Sequence, residues 1–100
     1  MQVSVGATPR QREFFIKGDF TTRDEKRFFD VFVQIRSMTE PVLIFNLSQC
    51  AFMDFAAMGM LVVACEEAAK RNISRFIYQA SPDLEKVLRS AGLDKFYEFQ

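Results

Sequence analysis

The sequence predicts an α/β fold in which a mixed sheet of four to five strands carries three or more helices, mainly on one face. Short apolar runs rich in branched and aromatic residues alternate with longer segments whose apolar residues repeat at helical spacing. The order is strand, strand, helix, strand, helix, strand, helix, strand, and such alternation is typical of crossover connections. One hundred residues, 49% of them hydrophobic and 26% charged, suit a single globular domain.

Five segments have the composition of strands, and one of them is predicted to be central. Residues 41–47 form an apolar run too short for a typical helix, which we interpret as a strand buried on both faces. The other four segments are residues 3–5, 12–17, 75–79 and 96–99. The first and last alternate only weakly, so we expect them at the edges of the sheet.

We expect one domain over residues 12–100, preceded by an N-terminal strand or loose arm over residues 1–11. Gly6 and Pro9 lie in this first segment, and neither favours a long regular element. No internal repeat, low-complexity segment or long linker divides the remainder. The chain therefore offers no second domain.

The first predicted helix runs from about residue 23 to residue 36. Thr22 followed by Glu25 has the spacing of a capping box, in which the hydroxyl and the carboxylate each accept a free backbone N–H. One helix face is apolar and should pack on the sheet; it consists of Phe28, Val31, Phe32 and Ile35.

The last predicted helix has recognisable signals at both ends. Ser81 is a capping residue before Pro82, whose fixed φ suits the first helical position. Gly92 is placed to end the helix in a left-handed conformation.

The middle helix, residues 55–71, has one apolar half and one half that changes character along its length. The inward half should be core, and it contains Ala57, Met58, Leu61, Val62, Ala64, Cys65, Ala68 and Ala69. The outward half is apolar first, with Ala56, Gly59, Met60 and Val63, and charged afterwards, with Glu66, Glu67, Lys70 and Arg71. An outward apolar start indicates a surface for a partner. Two alternatives are a small exposed patch and a patch covered by the chain's own N-terminal arm.

Asp54 stands where a loop turns into this helix. A carboxylate there caps free N–H groups and favours the positive end of the helix, which contributes on the order of 1 kcal/mol. No second carboxylate, candidate nucleophile or histidine lies near it in sequence, so no catalytic pair is visible.

The charge balance and the cysteines limit the partners and cofactors. Thirteen basic residues match thirteen acidic ones, so no net field favours nucleic acid or an anionic membrane. No apolar run is long enough to span a bilayer, and we expect a cytoplasmic protein. Cys50 and Cys65 lie among apolar neighbours and are read as structural; a disulfide between them is disfavoured in the cytosol. With no histidine, we expect neither a metal site nor a cofactor.

Several segments together resemble the STAS domains of bacterial anti-sigma-factor antagonists. Residues 18–21, Gly-Asp-Phe-Thr, stand where that family commonly has Gly-Glu-Leu-Asp, and residues 43–48 match its central strand. Residues 54–59, Asp-Phe-Ala-Ala-Met-Gly, match its Asp-Ser-Ser-Gly-Leu-Gly segment, which carries a phosphorylated serine. Residues 91–97 resemble its ending, Thr-Gly-Leu-Asp-Lys followed by hydrophobic residues. The likeness covers residues 12 to 99.

The resemblance implies a regulatory, non-enzymatic module that binds a kinase-like anti-sigma factor or a related serine kinase-like protein, with neither nucleic acid nor membrane insertion involved. It leaves a homodimer open. The resemblance carries over six partner-binding residues, from the loop before the first helix and the start of the middle helix: Asp19, Phe20, Asp54, Ala56, Met58 and Gly59. Phe55, which with Ala56 replaces the family's pair of serines, and Met60 and Val63, from the outward apolar start of the helix, complete the predicted partner-binding set.

Ala56 aligns with the phosphoacceptor serine, and alanine offers no oxygen for phosphoryl transfer. We therefore expect no phosphorylation at this position and a domain that binds like an unphosphorylated one. The alternative function implied by the same resemblance is a STAS-type subunit of a larger assembly, either a stress-signalling scaffold or a lipid transporter complex.

Overall fold

The computed structural model describes residues 1–100 and contains five strands and three α-helices. In chain order the elements are β1 Gln2–Ala7, β2 Gln11–Lys17, α1 Glu25–Ser37, β3 Val42–Gln49, α2 Phe55–Ala69, β4 Ser74–Tyr78, α3 Pro82–Ser90 and β5 Glu98–Phe99. Short 3-10 turns precede α1 at Thr22–Asp24 and β5 at Leu93–Lys95. The α/β class and the order of elements predicted from the sequence are confirmed. No helix combines the length and the apolar character that a bilayer crossing requires.

The strands form one mixed sheet in the order β1-β2-β3-β4-β5. β1 pairs with β2 in the antiparallel sense, and every later pair is parallel. Because α1, α2 and α3 each connect two parallel strands, each helix crosses over the sheet. β1 and β5 lie at the two edges, as their weak patterns predict.

β3 is central and buried on both faces, as its apolar run predicts. Alternate residues Leu43, Phe45 and Leu47 belong to the core shared with all three helices. Ile44 is equally buried but points to the opposite face. On that face Asn46 donates from Nδ2 to Glu13 at 3.0 Å, which satisfies the buried amide.

Stacked aromatic rings join the sheet to α1 and to the end of the chain. Phe45 lies 5.7 Å from Phe14 and 6.0 Å from Phe28, and Phe28 lies 5.2 Å from Phe20, measured between ring centroids. Tyr97 meets Phe45 edge to face and donates its hydroxyl to the Leu61 carbonyl of α2. Burial raises the pKa of Tyr97 well above its usual value of 10.0. The last residues therefore fasten α2 to the sheet.

The capping box of the first helical segment lies one residue earlier than the sequence pattern predicts. Thr21 is extended, at φ −137° and ψ 179°, and its hydroxyl accepts from the Arg23 N–H at 3.3 Å. The Asp24 carboxylate accepts from the Thr21 N–H at 2.9 Å. Thr22 and Glu25 cannot form the predicted pair because Thr22 is already inside the 3-10 turn.

The predicted ends of α3 are confirmed. The Ser81 hydroxyl accepts from the Leu84 N–H at 3.2 Å, and Pro82 is the first helical residue. Gly92 follows the helix at φ +88°, a left-handed conformation that glycine adopts without strain.

Arg71, just beyond α2, ties that end of the helix to the end of α1. Its guanidinium donates to the carbonyls of Ile35 at 2.8 Å and of Arg36 and Met38 at 2.6 Å. The last carbonyls of a helix have no partner within the helix, so a cation there is favourable. Arg71, predicted on the outward half of the middle helix, is exposed and also links the ends of α2 and α1.

The two cysteines are buried and free. The thiol of Cys50 donates to the Phe52 carbonyl at 3.4 Å, and that of Cys65 to the Phe96 carbonyl at 3.2 Å. Burial raises the pKa of both thiols, which keeps them protonated at neutral pH.

A bidentate ion pair fastens the segment before β3 to β2. Arg12 donates from Nε and Nη2 to the Glu40 carboxylate at 3.2 Å and 3.0 Å, and from Nη1 to the Gln34 side chain at 3.1 Å. Glu40 is buried, and the two hydrogen bonds from Arg12 hold the pKa of its carboxyl below the usual value of 4.5. The carboxylate is the stabilising form.

We predict that Glu40→Gln lowers the free energy of unfolding at neutral pH by about 1 to 3 kcal/mol, because it removes the charge that Arg12 pairs with. The folded-state pKa is depressed, so the contribution is complete above about pH 4.5 and is lost as the pH falls through the folded-state pKa. Urea denaturation from pH 7 to pH 3 should therefore show the two proteins converging in acid. Glu85→Gln is the control, since the Glu85–Arg89 pair is exposed. A constant difference across the pH range would contradict this assignment.

Candidate functional site

Asp54 joins the two loops that precede α1 and α2. Its Oδ1 accepts from the Ala57 N–H at 2.8 Å, which confirms the predicted cap of α2. Its Oδ2 accepts from the Thr22 N–H at 3.0 Å, at the start of the other helical segment. One carboxylate therefore sets the relative position of the two helix starts, a role that sequence spacing did not indicate.

A short ladder of backbone hydrogen bonds reinforces this junction. Phe20 and Met53 form a parallel bridge, in which the Phe20 N–H donates to the Phe52 carbonyl at 3.0 Å and the Asp54 N–H donates to the Phe20 carbonyl at 3.2 Å. The chain reaches this bridge from β2 through Gly18, whose φ of +89° favours glycine. The two loops thus behave as an extension of the sheet.

The first turns of α2 carry their apolar residues outward, as the helical wheel predicts. Phe55 is 83% exposed and Val63 is 50% exposed, and Met60 between them is half-buried. Ala56 and Gly59 are exposed on the same side. The N-terminal residues do not cover this surface, because β1 packs along the opposite flank of α1. The alternative of a self-covered patch is therefore wrong.

α1 supplies a second apolar wall, which the sequence analysis missed. Phe29 is 62% exposed, and its ring lies 6.5 Å from that of Phe32. Together with α2 they border an open groove of about 730 Å³. The groove is lined by Thr22, Glu25, Lys26, Phe28, Phe29, Phe32, Ala56, Gly59, Met60 and Val63. We call this the α1–α2 groove.

Phe32 was assigned to the face of α1 that packs on the sheet, and this assignment is wrong in part. Phe28, Val31 and Ile35 are buried as predicted, whereas Phe32 is half-buried and turns toward the groove. The sequence signal that could have found this wall was Phe29, an aromatic residue outside the predicted inward face of the first helix. Only the packing of α1 beside α2 shows that Phe29 and Phe32 line a shared groove.

The predicted partner-binding residues separate into a surface set and a buried set. Seven reach the surface at least in part: Asp19, Asp54, Phe55, Ala56, Gly59, Met60 and Val63. Phe20 and Met58 do not, because the Phe20 ring stacks on Phe28 and Met58 lies on the inward side of α2. These two side chains support the surface from below and cannot contact a partner in this conformation.

The groove presents apolar side chains with polar groups at its rim. Thr22, Glu25 and Lys26 supply the polar groups, and they lie at the α1 side of the groove. The two cysteine thiols are buried elsewhere, and no three cysteine or carboxylate side chains gather where they could hold a metal ion. A surface of this kind binds by excluding water from aromatic and aliphatic side chains.

We predict that Asp54→Ala lowers the free energy of unfolding by about 1 to 2 kcal/mol, because it removes the cap of α2. Asp54→Asn retains one acceptor oxygen and should lose less. Amide hydrogen exchange reports on each contact individually, because Thr22 and Ala57 donate to different oxygens of Asp54. Both N–H groups should exchange faster in Asp54→Ala. Unchanged exchange at Thr22 would show that the loops are held together without this carboxylate.

The family model described as "STAS domain" matches residues 4–100 of the chain. Solved structures agree on the fold. An anti-sigma factor antagonist from Mycobacterium paratuberculosis has a TM-score of 0.85 at 15% identity, over 98% of this chain and 83% of that one. The anti-sigma factor antagonist SpoIIAA in its unphosphorylated form has a TM-score of 0.77 at 15% identity, over 99% and 87%. A sulfate transporter family protein from Wolinella succinogenes has a TM-score of 0.76 at 22% identity, over 89% and 75%. No curated protein matches the chain by sequence.

Proposed function

The chain belongs to the STAS domain family, and from this premise we propose that it is a non-enzymatic regulatory module that binds a kinase-like anti-sigma factor. The contact surface comprises the α1–α2 groove together with the exposed Asp19 and Phe55 beside it. The observation that carries the proposal is the continuous apolar surface where two helices and two loops meet.

The surface has the composition of an interface core with a polar edge. Aromatic and methionine side chains are enriched in such cores, and Phe29, Phe55 and Met60 supply them here. Glu25 and Lys26 lie on the rim with opposite charges, so the groove attracts neither strongly acidic nor strongly basic partners. The matching partner surface is apolar, with groups of both charges around it.

Ala56 is the residue from which we infer how binding is regulated. It lies in the groove beside Gly59 and Met60, and its methyl group cannot be phosphorylated. A phosphoserine there would bring about −1.5 to −2 charges into an apolar contact and would oppose binding. Without a hydroxyl, release of the partner has to come from another event, and the domain binds as an unphosphorylated antagonist would.

A second candidate is a STAS subunit of a larger transport or signalling assembly, and the likeness to the sulfate transporter family protein from Wolinella supports its transport form. The same contact surface serves both candidates, so the identity of the partner distinguishes them. An anti-sigma factor supports the first candidate, and a transporter component or a large particle supports the second.

We predict that Val63→Glu and Met60→Glu each weaken binding of the partner by at least about tenfold, because each places a charge in the contact surface. The immobilised domain and both variants are exposed to native lysate, and retained proteins are identified by mass spectrometry. Val87→Glu is the matched control: Val87 is 49% exposed on α3, outside the groove. A partner retained equally by all four proteins, with the folds intact by circular dichroism, would refute the contact surface.

Gly59→Ala should affect stability and binding in opposite directions. A Cβ at this position meets no atom within 4 Å, and alanine favours a helix interior over glycine by about 0.8 to 1 kcal/mol. The free energy of unfolding should therefore rise by up to about 1 kcal/mol. The new methyl group enters the groove, so the captured partner should bind more weakly. Unchanged binding would show that the partner does not contact Gly59, and tighter binding would contradict the prediction that the added methyl group obstructs it.

A further inference from the structure

β1 is an edge strand whose outer side has no strand beside it. It is six residues long, pairs regularly with β2, and contains neither a charged residue nor a proline. Natural edge strands are usually protected by charge, proline, a bulge or short length. The strand at the opposite edge, β5, is protected by its short length of two residues. β1 has none of these protective features.

The register identifies which backbone groups of β1 point outward. The Thr8 N–H donates to the Gln11 carbonyl at 2.9 Å, so these two residues form a hydrogen-bonded pair at the end of the hairpin. Hydrogen-bonded and non-bonded pairs alternate in an antiparallel ladder. The aligned pairs Gly6 with Glu13, Ser4 with Phe15 and Gln2 with Lys17 are therefore bonded.

The remaining residues of β1, Val3, Val5 and Ala7, direct their N–H and carbonyl groups away from β2. Their side chains lie on the helix side of the sheet, since Val5 is opposite the buried Phe14. Val5 is 43% exposed there, in a shallow cleft that it shares with Arg27, Asp30 and Gln34. Unpaired donors and acceptors at every second residue match another β-strand.

We propose that β1 pairs with β1 of a second copy of this chain, antiparallel and about a two-fold axis through Val5. In this register Val5 pairs with Val5, and Val3 pairs with Ala7 in both directions. Each of the three pairs brings together two residues whose backbone groups already point outward, which gives about six interchain hydrogen bonds. The two sheets become one sheet of ten strands.

Two properties favour a second copy as the occupant. When a second β1 is rotated by 180° about Val5, its outward N–H and carbonyl groups face those of the first strand. Because β1 contains no charged side chain, two copies of it can pair without like-charge repulsion. Interfaces carry one hydrogen bond per roughly 100 to 200 Å², so about six correspond to roughly 600 to 1,200 Å². This is below the roughly 1,200 to 2,000 Å² of stable specific interfaces and in the range of transient contacts, so the dimer should be weak and reversible.

The dimer edge and the partner surface lie on opposite flanks of α1. Arg27, Asp30 and Gln34 face the β1 side, whereas Lys26 and Phe29 line the α1–α2 groove. The two surfaces share no residue. Both can be occupied together, so the dimer proposal stands independently of the proposed function.

Sedimentation velocity of the purified chain from low to high micromolar concentration tests the proposal. The dimer fraction should rise with concentration, and Val5→Lys should weaken association by about tenfold or more, because two like charges meet at the axis. Val87→Lys is the matched control, an exposed valine on α3 away from β1, and should dimerise like the natural protein. Mixing Val5→Lys with Val5→Glu should restore a dimer.

Amide exchange of the natural protein gives a readout that needs no variant. The N–H groups of Val3, Val5 and Ala7 should exchange more slowly as the concentration rises, and those of α3 should not change. A chain that stays monomeric over the whole range would overturn the proposal. So would a dimer that survives Val5→Lys, or concentration-dependent protection confined to another element.

Discussion

The carboxylate of Asp54 is the contact on which the geometry of the candidate site depends. One oxygen accepts from α2 and the other from the start of the segment that leads into α1, although Asp54 and Thr22 are far apart in sequence. The bridge between Phe20 and Met53 fixes the same two loops through their backbones. These contacts place the starts of α1 and α2 side by side, with Phe29 of α1 and Met60 of α2 both lining the groove. The residue that caps α2 thus also fixes the starts of the two helices that border the groove.

Most of the fold could be predicted from periodicity alone. Three features were predicted from local sequence patterns: the apolar run of β3, the helical spacing in α1 and α3, and the ends of α3. Such patterns identify an element correctly and misplace its boundaries by one or two residues. The observed capping box accordingly lies one residue before the predicted one. The central position of β3 also followed from sequence, because a nearly continuous apolar run is typical of a strand covered on both faces, and residues 43–47 are all buried.

The candidate site was predicted less completely because it depends on contacts between distant segments. The outward side of α2 was readable on a helical wheel, whereas the wall formed by Phe29 and Phe32 required the packing of α1 beside α2. Phe20 was predicted to contact a partner only because residues 18–21 resemble the loop that precedes the first helix in STAS domains. The loop ladder turns it inward, against Phe28. A helical wheel shows which residues share a face of one helix, but it cannot predict a groove that forms between two helices.

The guanidinium of Arg71 holds the far ends of α1 and α2 as the Asp54 carboxylate holds their starts. Contacts at both ends set the spacing of the two helices and hence the width of the groove between them. For the contact surface proposed above, a preset width means that more of the conformational entropy lost on binding would fall on the partner. Such a groove would discriminate most strongly against segments that are slightly too large.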